Sequence, residues 1–173
     1  MKHLNLSIAG VLVFIFSSLQ LPAQKQAVDT AQCLEFIGKF DGTVKDLNGE
    51  YIAQLIKDNK VIKELTQTVT SSFRFIMKKN MAYTVKLVKQ DYISKTVSIN
   101  TTLPKKLEIE NLYIFNLQTN LLSKEIESQF KDDDIDFPIA LVSYGKKCDC
   151  FEYNQAYTTK LINNMYTNLL FGY

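Results

Sequence analysis

Residues 73–102 read FRFIMKKNMAYTVKLVKQDYISKTVSINTT, and the period of this stretch sets the fold class. Phe73, Phe75 and Met77 alternate with Arg74 and Ile76, as on a strand with one face in a core. Lys78-Lys79-Asn80 breaks the run. Tyr83, Val85 and Leu87 then share one parity, and Thr84, Lys86 and Val88 the other. Gln90-Asp91 reads as a turn. Alternation resumes from Tyr92 to Thr102, with Ile93, Lys95, Val97 and Ile99 on one face. Short strands separated by turn residues at about ten-residue spacing predict an antiparallel β-sandwich.

The pattern extends both ways. Upstream, Phe40 to Val44 alternate and Asp46-Leu47-Asn48-Gly49 supplies turn chemistry. Tyr51 to Lys57 carries Ile52, Leu55 and Ile56. Asp58-Asn59-Lys60 turns into the β-branched run Val61 to Val69. Residues 24 to 35 read as a polar lead-in. Downstream, Leu112 to Leu117 is a further strand, and Leu122, Ile126 and Phe130 have helical spacing. Ile139 to Val142 reads as a buried strand after Pro138, and Gly145-Lys146-Lys147 turns into Cys148 to Tyr153 as a hairpin. Asn154 is placed to cap a helix on which Tyr157, Leu161, Met165 and Leu169 recur.

The segment Gly42-Thr43-Val44-Lys45-Asp46, then Gly49, Ile52, Thr68 to Phe75, Tyr83 to Leu87 and Tyr92 to Pro104 resembles a carboxypeptidase regulatory-like domain over about residues 40–104. The resemblance implies a mostly β fold, a Greek-key β-sandwich of prealbumin or Ig-like type over 36–117. A C-terminal extension over 118–173 then carries the β-hairpin and amphipathic α-helix. Two family glycines are replaced, by Ser71-Ser72 before Phe73 and by Asp91 before Tyr92. Asp accepts a positive φ better than most residues. The set Asp136-Phe137-Pro138, Tyr144, Phe151, Tyr153-Asn154 and Tyr157 is similar to the tails of small exported envelope proteins with this domain. The family domain is non-catalytic, so the resemblance implies a scaffold or binding module and transfers no active-site residue.

The N-terminus points to the same compartment. Lys2, the apolar run Ile8 to Phe16, and the small residues up to Leu21-Pro22-Ala23 form the layout of a signal peptide over 1–23, cut after Ala23. The run is too short for a spanning helix, which needs roughly 20 apolar residues. The expected mature chain is exported to the periplasm or outer envelope of a Gram-negative bacterium, with no integral membrane anchor. Cleavage also removes His3, the only histidine. Ser-His-Asp and Cys-His triads are thereby excluded. The 6 glycines form no phosphate loop, and no cofactor is implied. Arg74 is the only arginine and the formal charge is +2, which argues against nucleic acid. The expected partner is another envelope protein or a glycan, held without catalysis. The alternative is a carrier with a small apolar ligand between sandwich and C-terminal helix; a third reading is a minor enzyme using carboxylates or a free thiol.

Cysteines 33, 148 and 150 are the possible disulfide partners in an exported chain. On an extended strand, Cys148 and Cys150 would stand roughly 6.6 Å apart, near the upper limit for a bridge. Cys33 paired with Cys148 or Cys150 would tie the lead-in to the hairpin and leave one thiol. Asp132, Asp134 and Asp136 alternate like calcium ligands, but Phe137 and Ser143 stand where an EF-hand needs Gly and Glu, so no metal site is expected. Asp29-Thr30-Ala31 and Asn100-Thr101-Thr102 fit glycosylation motifs, and both read more simply as a lead-in and a strand end. Tyr92, Tyr113, Tyr144, Tyr153 and Tyr157 are candidates for either core or an aromatic binding strip.

Overall fold

The computed structural model describes residues 31–41, 48–107, 109–125, 137–161 and 163. The signal-peptide segment, Asp29-Thr30, Gly42 to Asp46, Ile126, Phe130, the Asp132, Asp134 and Asp136 set, Met165 and Leu169 lie outside the described residues. The described chain runs β1 (Gln32–Phe40), β2 (Glu50–Lys57), β3 (Lys60–Thr68), β4 (Phe73–Lys78), β5 (Ala82–Val88), β6 (Lys95–Asn100), β7 (Tyr113–Thr119), β8 (Ala140–Gly145) and β9 (Cys150–Tyr153). A helix, α1, covers 155–161. The strands form two sheets, one of order β4-β1-β7 and one of order β3-β2-β5-β6-β8-β9. The fold is a β-sandwich with a C-terminal helix.

Alternation in sequence becomes alternation in burial. β4 buries Phe73, Phe75 and Met77 and exposes Arg74, Ile76 and Lys78. β5 buries Tyr83, Val85 and Leu87. Asp58 and Asn59 both take left-handed φ, 50° and 59°, which makes the two-residue hairpin that joins β2 to β3. Asp91 adopts φ 64°, as its short polar side chain permits. Thr101, fully buried, pins the β4–β5 turn: its hydroxyl lies 2.7 Å from the Lys78 carbonyl and accepts from the Met81 N–H at 3.0 Å.

The sheets are not antiparallel throughout. β7 runs parallel to β1, and β8 runs parallel to β6. Both β7 and β8 arrive after long connections that change sheet, so no tight hairpin fixes their direction. Residues 32–35, read as the end of a lead-in, form the start of β1, because Cys33 and Leu34 enter the core beside Phe36. The hairpin read as an extension is hydrogen-bonded into the larger sheet through Val97 opposite Ala140 and Ile99 opposite Val142. The start of the expected 121–130 helix is extended instead: Ile93 N–H donates to Leu122 O at 2.8 Å and Ser123 bridges Tyr92.

Aromatic rings fill the space between the sheets. Phe40 meets Tyr51 edge-on at 4.5 Å, and Tyr51 meets Phe73 at 6.2 Å. Phe36 stacks on Phe115 at 5.5 Å, and Phe115 meets Tyr153 at 4.8 Å. Gly38 faces Phe73 across β1 and β4, and a Cβ there would enter the Phe73 ring. Phe73 is packed on Phe36, Tyr51 and Phe75, so its ring has nowhere to go. Gly38→Ala is expected to destabilise by about 1–3 kcal/mol through overpacking. Phe73→Ala alone should cost about 3–5 kcal/mol. The double variant should lose less than the sum in urea denaturation, because the clash is gone once the ring is removed. Strict additivity would show that the ring does not occupy the Gly38 site.

Candidate functional site

A cavity of about 660 Å³ opens where the ends of β7 and β9, the starts of β6 and β8, and α1 converge. Local sequence builds each wall. Asn154 caps α1, its side-chain oxygen accepting the Tyr157 N–H at 3.0 Å, as the sequence predicted. Tyr157 donates its hydroxyl to the Pro138 carbonyl at 2.6 Å, which fixes the helix to the segment entering β8. Leu117, Leu122, Ile139 and Ala140 give apolar wall, and the buried Leu161 closes it from the helix.

Polar groups interrupt that wall, Lys95, Thr158 and Asp41 among them. Lys95 comes from the first residue of β6, on the parity shared by buried Val97 and Ile99. Its Nζ donates to Thr119 Oγ1 at 3.4 Å. Burial lowers its pKa to about 8, because the charged ammonium loses water and gains no carboxylate within ion-pair distance among the described residues. Thr158 Oγ1 is buried and has no hydrogen-bond partner among the described residues. Asp41 also lines the cavity. A lysine at core parity was visible in the sequence as Ile93, Lys95, Val97 and Ile99, and it is the one signal that could have located this site.

The cysteines assemble differently from the expectation. Cys148 and Cys150 are bonded to each other, and Cys33 is free and buried. The predicted tie from Cys33 to the hairpin is therefore absent. The extended-strand spacing fails here because residues 146–149 turn and Asp149 takes φ 49°, which brings the two Cα atoms to 5.2 Å. Burial pushes the Cys33 thiol up to about 11, against the opposing effects of Lys79 and Thr101, so it stays a neutral core group. The disulfide fits an oxidising compartment.

Two tyrosines converge on the residue between the bonded cysteines. Tyr113 and Tyr144 donate to the same Asp149 carboxylate oxygen, at 2.9 and 2.6 Å. Those bonds, Tyr144's first, hold the Asp149 carboxyl below its ordinary range, and the carboxylate in turn raises the Tyr144 phenol. Cys148, Cys150 and Glu152 each place a potential ligand atom within 4.8 Å of the others, but the two sulfurs are engaged in their mutual bond. The other tyrosines scatter: Tyr153 packs on Phe115, Tyr157 anchors α1, and Tyr92 lies 5.5 Å from the Lys89 ammonium. Asn100 ends β6 exposed, its side-chain oxygen accepting the Thr102 N–H at 2.9 Å.

No family model and no curated protein matches the sequence. Among solved structures, the crystal structure of S.CueP is similar at 12% identity and a TM-score of 0.33, over 56% of this chain and 63% of that one. The match spans less than two thirds of that chain, and a superposition this loose establishes no common fold.

Lys95 titrates below its unfolded value, so its burial costs stability wherever it is charged in both states. The penalty is complete below about pH 8 and fades as pH rises from about 8 to 10.5. Lys95→Met keeps the stem and removes the charge. It should raise unfolding free energy near pH 7 by about 1–3 kcal/mol, with the advantage shrinking toward about pH 10. Equal stability of the two proteins near pH 7 would mean that the ammonium reaches water.

Proposed function

We propose that this chain is an exported, non-enzymatic binding module that holds a small amphiphilic anion, its apolar body in the cavity beside α1 and its charged head on Lys95. The observation that carries the reading is a half-buried ammonium, bonded among the described residues to a threonine hydroxyl, in the wall of an otherwise largely apolar cavity. The volume lies within the range of sites that take small organic ligands, roughly 300–1,000 Å³. An anionic head would supply the counter-charge that Lys95 lacks, and a head oxygen within reach of Thr158 would supply its missing partner. Export rests on the signal-peptide layout and the disulfide, and a place in a Gram-negative envelope rests on the regulatory-like resemblance. The Asp91 conformation and the two-sheet sandwich support that resemblance.

Recognition of a partner protein or glycan through the sandwich loops has weaker support. Ile76 and Ile114 are exposed on the smaller sheet, but Glu35 stands between them, in ion pair with Arg74 at 2.9 Å.

Calorimetric titration with decanoate and decanol tests the carrier reading, since the two share a tail and differ in charge. Decanoate should bind at least tenfold more tightly near neutral pH, a difference of about 1.4 kcal/mol. Lys95→Met should remove that preference, and Lys95→Arg should keep part of it. Equal binding of acid and alcohol by the unaltered protein, or no binding of either, would overturn the proposal.

A further inference from the structure

At the far end of β7 from the cavity, the β8–β9 hairpin carries its disulfide at an exposed tip. Cys148 is exposed and Cys150 half-buried, and the bond spans a single intervening residue. Disulfides stabilise chiefly by restricting the unfolded chain, and the effect grows with the loop they close. A loop this small restricts little. The hairpin is also closed without it, through the pairs Gly145 with Cys150, Tyr144 with Phe151, and Val142 with Tyr153. The tip has a further anchor in Asp149, whose carboxylate takes both the Tyr113 and the Tyr144 hydroxyl. Tyr113 belongs to the other sheet, so this anchor crosses the sandwich. The bond is thus placed where a structural staple has least to do, on a tip that keeps its shape by other means.

The surrounding charges suit thiol chemistry. Lys146 and Lys147 immediately precede Cys148 and are exposed. Positive charge beside a sulfur favours the thiolate and draws in an anionic attacking group. Glu152 places a carboxylate oxygen within 4.8 Å of both sulfurs and opposes that effect. Its position depends on Gly145, where a Cβ would collide with the Glu152 carboxylate. Cys33, the remaining sulfur, is buried in β1 and takes no part.

We propose that Cys148–Cys150 is an exchangeable redox pair that accepts two electrons from a dithiol. A thiolate of the dithiol attacks the exposed Cys148 Sγ, the Cys148–Cys150 bond breaks, and Cys150 leaves as a thiolate. The second thiolate of the dithiol then attacks its own sulfur in the mixed disulfide and expels Cys148. The dithiol leaves as a disulfide, oxidised by two electrons. The protein retains both thiols, which take up the two protons released. Because the Asp149 anchor and the strand ladder persist, the sulfurs stay close enough for the bond to re-form with an oxidant.

The test uses the folded full chain without denaturant, treated with dithiothreitol near neutral pH and then with a maleimide, and read by intact mass. Cys148 and Cys150 should become labelled together, Cys33 should stay unlabelled, and the circular dichroism spectrum should be unchanged. Oxidised glutathione should restore the bond. With reduced glutathione, which is anionic, Lys146→Gln with Lys147→Gln should slow opening roughly threefold at low salt, and Glu152→Gln should speed it by a similar factor. Both differences should close at high salt. A bond that resists dithiothreitol until denaturant is added would overturn the proposal, as would labelling of Cys33 in step with the pair, which marks unfolding. Cys148→Ser with Cys150→Ser should leave decanoate binding unchanged, so failure here and failure of the carrier reading are separable.

Discussion

The pairing of β7 with β1 is the contact on which the rest of the molecule depends. β7 lies parallel to β1 in unbroken register, from Tyr113 opposite Leu34 to Thr119 opposite Phe40. This strand completes the smaller sheet. It inserts Phe115 between Phe36 and Tyr153, so the aromatic layer becomes continuous from one sheet to the other. It also sets out the chemistry. Its first residue reaches Asp149 at the hairpin tip, and its last accepts the Lys95 ammonium. Six residue steps at strand rise hold those two places about 20 Å apart.

Lys95 runs against the interests of the fold. Lysines in sandwiches usually bury the carbon stem and lift the ammonium into water. Here the ammonium stays within the wall, and burial lowers its pKa, which is the direction expected when the charged form loses water. A methionine of similar length would pack as well without that cost. A group that lowers stability with no structural return is a mark of a site, since marginal proteins tolerate such groups chiefly where function needs them. Thr158 shows the same imbalance on a smaller scale, with a buried hydroxyl left unsatisfied on the facing helix.

Alternation in the 73–102 stretch was enough to read the strands, their inward faces and their turns, because a half-buried strand writes its geometry at period two. Gln90-Asp91 could be read as a turn for the same local reason. Strand direction could not be read for β7 and β8, since nothing in a long connection specifies it. The Cys148–Cys150 bond was hidden by one dihedral. An extended Asp149 holds the sulfurs apart and a left-handed one brings them together, and Asp is compatible with both. A site between the sandwich and the C-terminal helix was among the readings, and its polar element was legible as a lysine on the core parity of β6. Its walls come from elements far apart in sequence, which pattern reading does not join. The carboxylate shared by Tyr113 and Tyr144 is likewise a tertiary fact, with 36 and 5 residues separating the partners.

The three sulfurs divide along the line between structure and chemistry. Cys33 sits on β1 beneath the sheet interface, where burial keeps its thiol protonated and out of reach. A bridge from there to the hairpin would have locked the tip to the core and removed any freedom to exchange. Cys148 and Cys150 instead bond across one residue on a turn that is already held by a strand ladder and by Asp149. Each anchor works with the bond open or closed, because neither uses a sulfur. The tip can therefore change oxidation state without asking the sandwich to move. The same rigidity separates the two ends: a stiff strand whose register is fixed by seven successive pairs with β1 transmits little when one end changes. A cavity with a half-buried cation and a surface disulfide can share one small sandwich because neither needs the other to shift.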